Sequence, residues 1–90
     1  MKDGDKMSSE TTHLYKIEDF NEAIVDNTLK DVFEALEERG YNPINQIVGY
    51  IMSGDPGYIS SHKEARSKIM QLDRTKIIEI MVRSYIEKIK

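Results

Sequence analysis

The sequence predicts an all-α fold: a small compact helical domain of four to five helices, homodimeric, behind a flexible N-terminal tail. Three observations carry this. Apolar residues recur at helical spacing along most of the ninety-residue chain, with no strand-like alternation of useful length. Helix stops and starts follow one another at Gly40, Asn42-Pro43, Gly54 and Asp73. The chain holds no cysteine and two prolines, so no disulfide framework competes with a helical core.

The elements follow in order. Residues 1–13 are polar, charged and hydroxyl-rich and have no periodic apolar face. They cannot offset their ordering entropy and are expected to be disordered. The domain proper is therefore placed at 14–90, with Leu14, Tyr15, Ile17 and Phe20 pinning the end of the tail. The first helix runs from about Asn21 to Arg39. Its stripe is Ile24, Val25, Thr28, Leu29, Val32, Phe33 and Leu36, and Gly40 ends it in the left-handed conformation. Asn42 caps the second helix, and Pro43 suits its first position because the missing N–H has no helical partner there. Ile44, Ile47, Val48, Ile51 and Met52 make this short helix nearly all apolar, so it is expected to be the most buried element. Gly54 stops it and Asp55-Pro56-Gly57 turns the chain. Ser61 and Glu64 have capping-box spacing, which predicts a helix from His62 to Leu72 burying Ala65, Ile69 and Leu72. Asp73 caps the last helix, Arg74 to Ile89, with Ile77, Ile78, Met81, Val82, Tyr85 and Ile89 as its buried stripe. So short a chain has a small core, and the apolar second helix argues for a second copy to cover it.

Charge is unevenly distributed. Residues 1–59 carry five basic and twelve acidic side chains, and residues 60–90 carry eight and four. The acidic half weighs against nonspecific nucleic-acid binding. Lys63, Arg66 and Lys68 lie on one short helix, with Arg74 just beyond, and Lys63 and Arg66 share a face; they read either as a docking patch for an acidic partner or a phosphate, or as a solvated face. No apolar run approaches the ~18 residues of a membrane span, and no signal-peptide core is present. The expectation is a cytoplasmic protein without membrane insertion.

The sequence points away from catalysis. His13 and His62 have no ligand-spaced companions, so no metal site is expected. Asp55 in its tight turn is expected to accept its own turn N–H groups, and Asn45 and Gln46 to satisfy loop backbone or a symmetry mate. Tyr41, Tyr50, Tyr58 and Tyr85 suit a core or interface. No cofactor is implied. The alternative is a small helix-turn-helix DNA binder reading with its basic third helix.

The run Gly40-Tyr41-Asn42-Pro43-Ile44-Asn45-Gln46-Ile47-Val48-Gly49-Tyr50, continued by Ser53-Gly54-Asp55-Pro56 and Tyr58-Ile59, resembles the IreB/ReoM/YrzL family. The resemblance extends from about Thr12 to Tyr85. It includes Ala35-Leu36-Glu37-Glu38-Arg39 and His62-Lys63-Glu64-Ala65-Arg66 on the flanks. It implies a non-enzymatic, all-helical homodimer. It also implies a substrate of the membrane Ser/Thr kinase with PASTA repeats, opposed by the cognate phosphatase. Unphosphorylated members restrain peptidoglycan synthesis and so bear on tolerance of cell-wall antibiotics. In one branch they promote Clp-protease degradation of the first committed enzyme, so the implied partners include a Clp adaptor or a wall-synthesis enzyme. The layout Thr12-His13-Leu14-Tyr15-Lys16-Ile17-Glu18-Asp19 matches the family's modified tail, which carries the phosphosite to Thr12 with Thr11 second. Lys63, Arg66 and Arg74 are the partner-binding residues this reading favours. Two departures stand out: the tail reads Glu10-Thr11-Thr12-His13 where the family has an acidic residue, Gln, Thr and Met, and Ser61, Met70 and Gln71 replace residues commonly basic.

Overall fold

The computed structural model describes residues 21–90, and all regular structure within them is helical. Helix α1 occupies 21–38 of the described residues. It ends as the sequence predicts: Gly40 is left-handed, its N–H bonds to the Glu37 carbonyl at 3.0 Å, and the Tyr41 N–H reaches back to Leu36 at 3.0 Å. This double closure satisfies two carbonyls that a helix end otherwise leaves unpaired.

Helix α2 is Pro43–Ser53. The Asn42 side chain accepts the Asn45 N–H at 3.1 Å and Pro43 opens the helix. At the other end, Gly54 is left-handed with φ 75°, and its N–H donates to the Tyr50 carbonyl at 2.7 Å. Ser53 Oγ joins the two sides of this stop, donating to the Gly49 carbonyl at 2.7 Å and accepting the Asp55 N–H at 3.0 Å. Asp55 then accepts the Gly57 N–H at 2.8 Å, heading a single 3-10 turn, Pro56–Tyr58. The turn folds the Tyr58 ring back onto α2. A Cβ on Gly49 would lie 2.5 Å from that ring, so only glycine permits the contact. Gln46 secures it by donating to the Tyr58 carbonyl at 3.0 Å.

The third helical region departs from the expected continuous helix over His62–Leu72. A 3-10 turn at His62–Glu64 precedes a six-residue α3, Ala65–Met70. Lys63 and Glu64 both have positive φ, 53° and 62°, so regular α-helix cannot pass through them. Ser61 makes no side-chain cap, and it is Ser60 Oγ that accepts the His62 N–H, at 3.0 Å. The side chains of His62 and Lys63 are instead drawn to α1, as described below. Asp73 caps α4, Arg74–Ile89, by accepting the Thr75 N–H at 2.9 Å.

One core joins the elements. Val25, Val32, Ala35 and Leu36 come from α1, Tyr50 and Ile51 from α2, Ala65 and Ile69 from α3, and Ile77 and Ile80 from α4, with Ile59 sealing the loop. Leu29, Ile47 and Leu72 pack at its margin. Two expectations about burial are overturned. Helix α2 is not the most buried element, because Ile44, Val48 and Met52 form an outward ridge, with Met52 78% exposed. Of the stripe expected to be buried on α4, only Ile77 is buried. Ile78, Met81, Val82, Tyr85 and Ile89 are exposed, and Ile80 takes the inner place. The reason is geometric: α4 is apolar around most of its circumference, and one small core covers only one side of it.

Candidate functional site

Lys63 lies against the end of α1, Arg66 against the loop after α2 and Arg74 against the end of α2. Each of the three is held by a specific contact. Lys63 Nζ donates to Glu38 Oε2 at 2.9 Å, across 25 residues of chain. His62 Nε2 meets the other oxygen of the same carboxylate at 2.7 Å. Arg39 Nη2 lies 3.2 Å from His62 Nδ1. A guanidinium can only donate, so Nδ1 accepts and Nε2 carries the proton given to Glu38. The hydrogen bond from Lys63, and after it that from His62, holds the Glu38 carboxyl below its ordinary pKa. The same bond raises the Lys63 ammonium above its ordinary value. Lys68 is similarly engaged, 3.1 Å from Asp31.

Arg66 and Arg74 hold backbone. Arg66 Nε donates to the Ile59 carbonyl at 2.9 Å and to the Pro56 carbonyl at 3.2 Å, bracing the loop after α2. Arg74 Nη1 donates to the Ile51 carbonyl at 2.9 Å, near the C-terminal end of α2, where orphan carbonyls favour a cation. Its guanidinium lies flat against Gly54, close enough that a Cβ there would fall 2.8 Å from Cζ. The other N–H groups of both arginines have no protein hydrogen-bond partner among the described residues, and both residues are exposed. The site thus presents two rigidly held guanidinium groups beside the turn Gly54-Asp55-Pro56-Gly57. Fixed donors of this kind lose little entropy in meeting a carboxylate or phosphate.

Several other expectations find their places. Asp55 is engaged in its own turn and Gln46 in bonding the loop, as the sequence indicates. Tyr50 belongs to the core, whereas Tyr41, Tyr58 and Tyr85 are exposed. No three metal-capable side chains converge among the described residues. No helix among them is long and apolar enough to cross a membrane. Thr11, Thr12 and His13, and the division of the chain at residue 13, lie outside the described residues. Sequence reasoning missed the Glu38–His62–Lys63–Arg39 cluster. Its halves are more than twenty residues apart, and no local spacing rule joins them.

The sequence model of the family described as IreB regulatory phosphoprotein matches residues 10–87. The chain belongs to the IreB family. The match covers nearly the whole chain, including the two tail threonines, every basic residue of the site and all but the end of α4. The DNA-binding alternative finds no support. Its recognition helix would be the six-residue α3, whose Lys68 is paired with Asp31 and whose Arg66 is bound to backbone.

Proposed function

We propose that this IreB-family chain is a non-enzymatic, cytoplasmic regulator of peptidoglycan synthesis, switched by phosphorylation of Thr12 by a PASTA-type Ser/Thr kinase and reset by the cognate phosphatase. Family membership across residues 10–87 is the observation that carries this reading. In its unphosphorylated form the protein favours Clp-dependent degradation of the enzyme that commits UDP-N-acetylglucosamine to the wall. Phosphorylation lifts that restraint and raises tolerance of cell-wall antibiotics. Arg66, Arg74 and Lys63 are the docking residues for an acidic partner surface. A phosphate on Thr12 adds ~1.5 to 2 negative charges and competes for the same cations.

The working unit in this proposal is a homodimer. Ile78, Val82, Tyr85 and Ile89 on α4 follow the four-three-four spacing of a coiled-coil seam, and all four are exposed in the single chain. The ridge of Ile44, Val48 and Met52 on α2 adds a second uncovered apolar strip. Surface of this extent favours association with an equally apolar face, and a second copy supplies one by symmetry.

The functional test is made in a low-GC Gram-positive host lacking its own family member. Wild type, Thr12→Ala and the double variant Arg66→Ala/Arg74→Ala are expressed at equal levels, and the committed enzyme is followed by immunoblot. Thr12→Ala is expected to lower that enzyme below the wild-type level, and the arginine variant to restore it. An enzyme level that ignores all three chains contradicts the proposal.

A further inference from the structure

A groove of about 420 Å³ lies where α1 begins, between that helix and the α3–α4 junction. Ile24, Val25 and Leu72 supply its apolar surface, and Asn21, Gln71, Asp73 and Lys76 its polar margin, with Lys76 paired to Glu79 at 3.1 Å. Val25 and Leu72 belong to the core or its edge, but Ile24 remains 38% exposed. The groove is separate from the basic site and does not involve the α4 seam Ile78–Val82–Tyr85–Ile89.

We infer that this groove is the docking site of the chain's own segment 14–20, Leu14-Tyr15-Lys16-Ile17-Glu18-Asp19-Phe20. Two observations select that occupant over a separate molecule. Asn21 is at once a wall of the groove and the residue to which the segment is bonded. The segment is therefore presented at an effective concentration of order mM, and closing so short a loop costs little entropy. Leu14, Tyr15, Ile17 and Phe20 place four large apolar side chains within seven residues, whereas residues 1–13 contain none besides Met1 and Met7.

Seating the segment fixes where the tail leaves the body. Thr12 is two residues before Leu14, so it emerges at the groove's edge at a defined place on the surface. The regulatory meaning of that placement rests on the proposed phosphorylation of Thr12. The docking itself does not.

The chain has no cysteine, so Lys16→Cys carries a single nitroxide label. The experiment is amide NMR of the full chain with the label oxidised and reduced, at high dilution into unlabelled, untagged chain so that only effects within one chain are read. The expected result is selective loss of the amide signals of Ile24, Leu72 and Lys76 in the oxidised state. Ile17→Asp should restore those signals without disturbing the folded body, and Ile24→Glu, at a partly exposed position, should do the same. Three results overturn the inference: no selective loss at the groove, a loss unaffected by either variant, or a loss seen only between labelled and unlabelled chains. None of these bears on whether Thr12 takes phosphate. A tail that is never phosphorylated leaves the docking result standing.

Discussion

Gly54→Ala is a sharp test of the contact that ties α2 to α4. Two costs add at this position. The first is conformational: φ of 75° asks an L side chain to sit in the left-handed region, about 1–2 kcal/mol. The second is steric: the new methyl would fall 2.8 Å from Arg74 Cζ and 2.9 Å from Nη2, so the guanidinium must shift. That shift weakens the 2.9 Å bond to the Ile51 carbonyl. A bond to a charged group contributes about 1.5–3 kcal/mol, and the lower end applies here because Arg74 is exposed. Against these, alanine restricts the unfolded chain and returns about 0.4–1 kcal/mol. The net expectation is a loss of about 2–3 kcal/mol. Gly40→Ala is the matched control, since Gly40 has φ of 80° and nothing within 4 Å of the added methyl. It should lose only about 1 kcal/mol. Urea unfolding followed by circular dichroism measures all four chains of the cycle: wild type, Gly54→Ala, Arg74→Ala and the double variant. In the Arg74→Ala background, Gly54→Ala should cost no more than Gly40→Ala does in the wild type. Equal costs for Gly54→Ala with and without Arg74 would refute the reasoning.

The Glu38–Lys63 pair makes a signed pH prediction. The folded Glu38 carboxyl lies below its ordinary 4.5, so its stabilisation is present above that pH and is lost as pH falls through the folded value. The Lys63 ammonium lies above its ordinary 10.5, so its share is present below that pH and is lost as pH rises through the folded value. Glu38→Gln should therefore lower the melting temperature at pH 5 to 6, where the pair is formed, and flatten the acidic limb below about pH 4.5, where the two chains converge; an unchanged acidic limb contradicts the pairing. Val82→Asp, at a residue 54% exposed, places two carboxylates in the proposed two-fold seam. Losing the remaining half of its burial twice removes about 2 kcal/mol, a roughly 30-fold weaker dimer by sedimentation equilibrium, with folding stability of the single chain altered by less than about 0.5 kcal/mol. Ile77→Ala, at a side chain with no exposure, should cost about 2–5 kcal/mol in urea unfolding.

The parts of the fold legible in sequence were those governed by neighbouring residues. Asn42-Pro43, Gly54, Asp55 and Asp73 each act within a few positions of themselves, and each is found in the role its chemistry indicates. The break at Lys63 and Glu64 was not legible, because Ser61 and Glu64 carry an intact capping-box spacing. What accompanies the break is a carboxylate on α1, Glu38, that engages both His62 and Lys63. Burial on α2 and α4 was misjudged for a related reason. Periodicity identifies an apolar face but does not say whether the same chain covers it. Val48 and Val82 are as apolar as Val32, yet only Val32 is enclosed. At the candidate site, Arg66 and Arg74 were recognisable only as basic residues near one another in the sequence. Their attachment to the carbonyls of Ile51, Pro56 and Ile59 depends on how α3 and α4 pack against the loop, and no local pattern encodes that.

The proposed regulation by tail phosphate is read most simply as mass. The full chain is incubated with a PASTA kinase domain and ATP, and its intact mass and tail peptides are compared with those of Thr12→Ala and Thr11→Ala. One added phosphate that is lost in Thr12→Ala and kept in Thr11→Ala is the predicted result. A tail that takes no phosphate in any of the three chains contradicts the proposed switch.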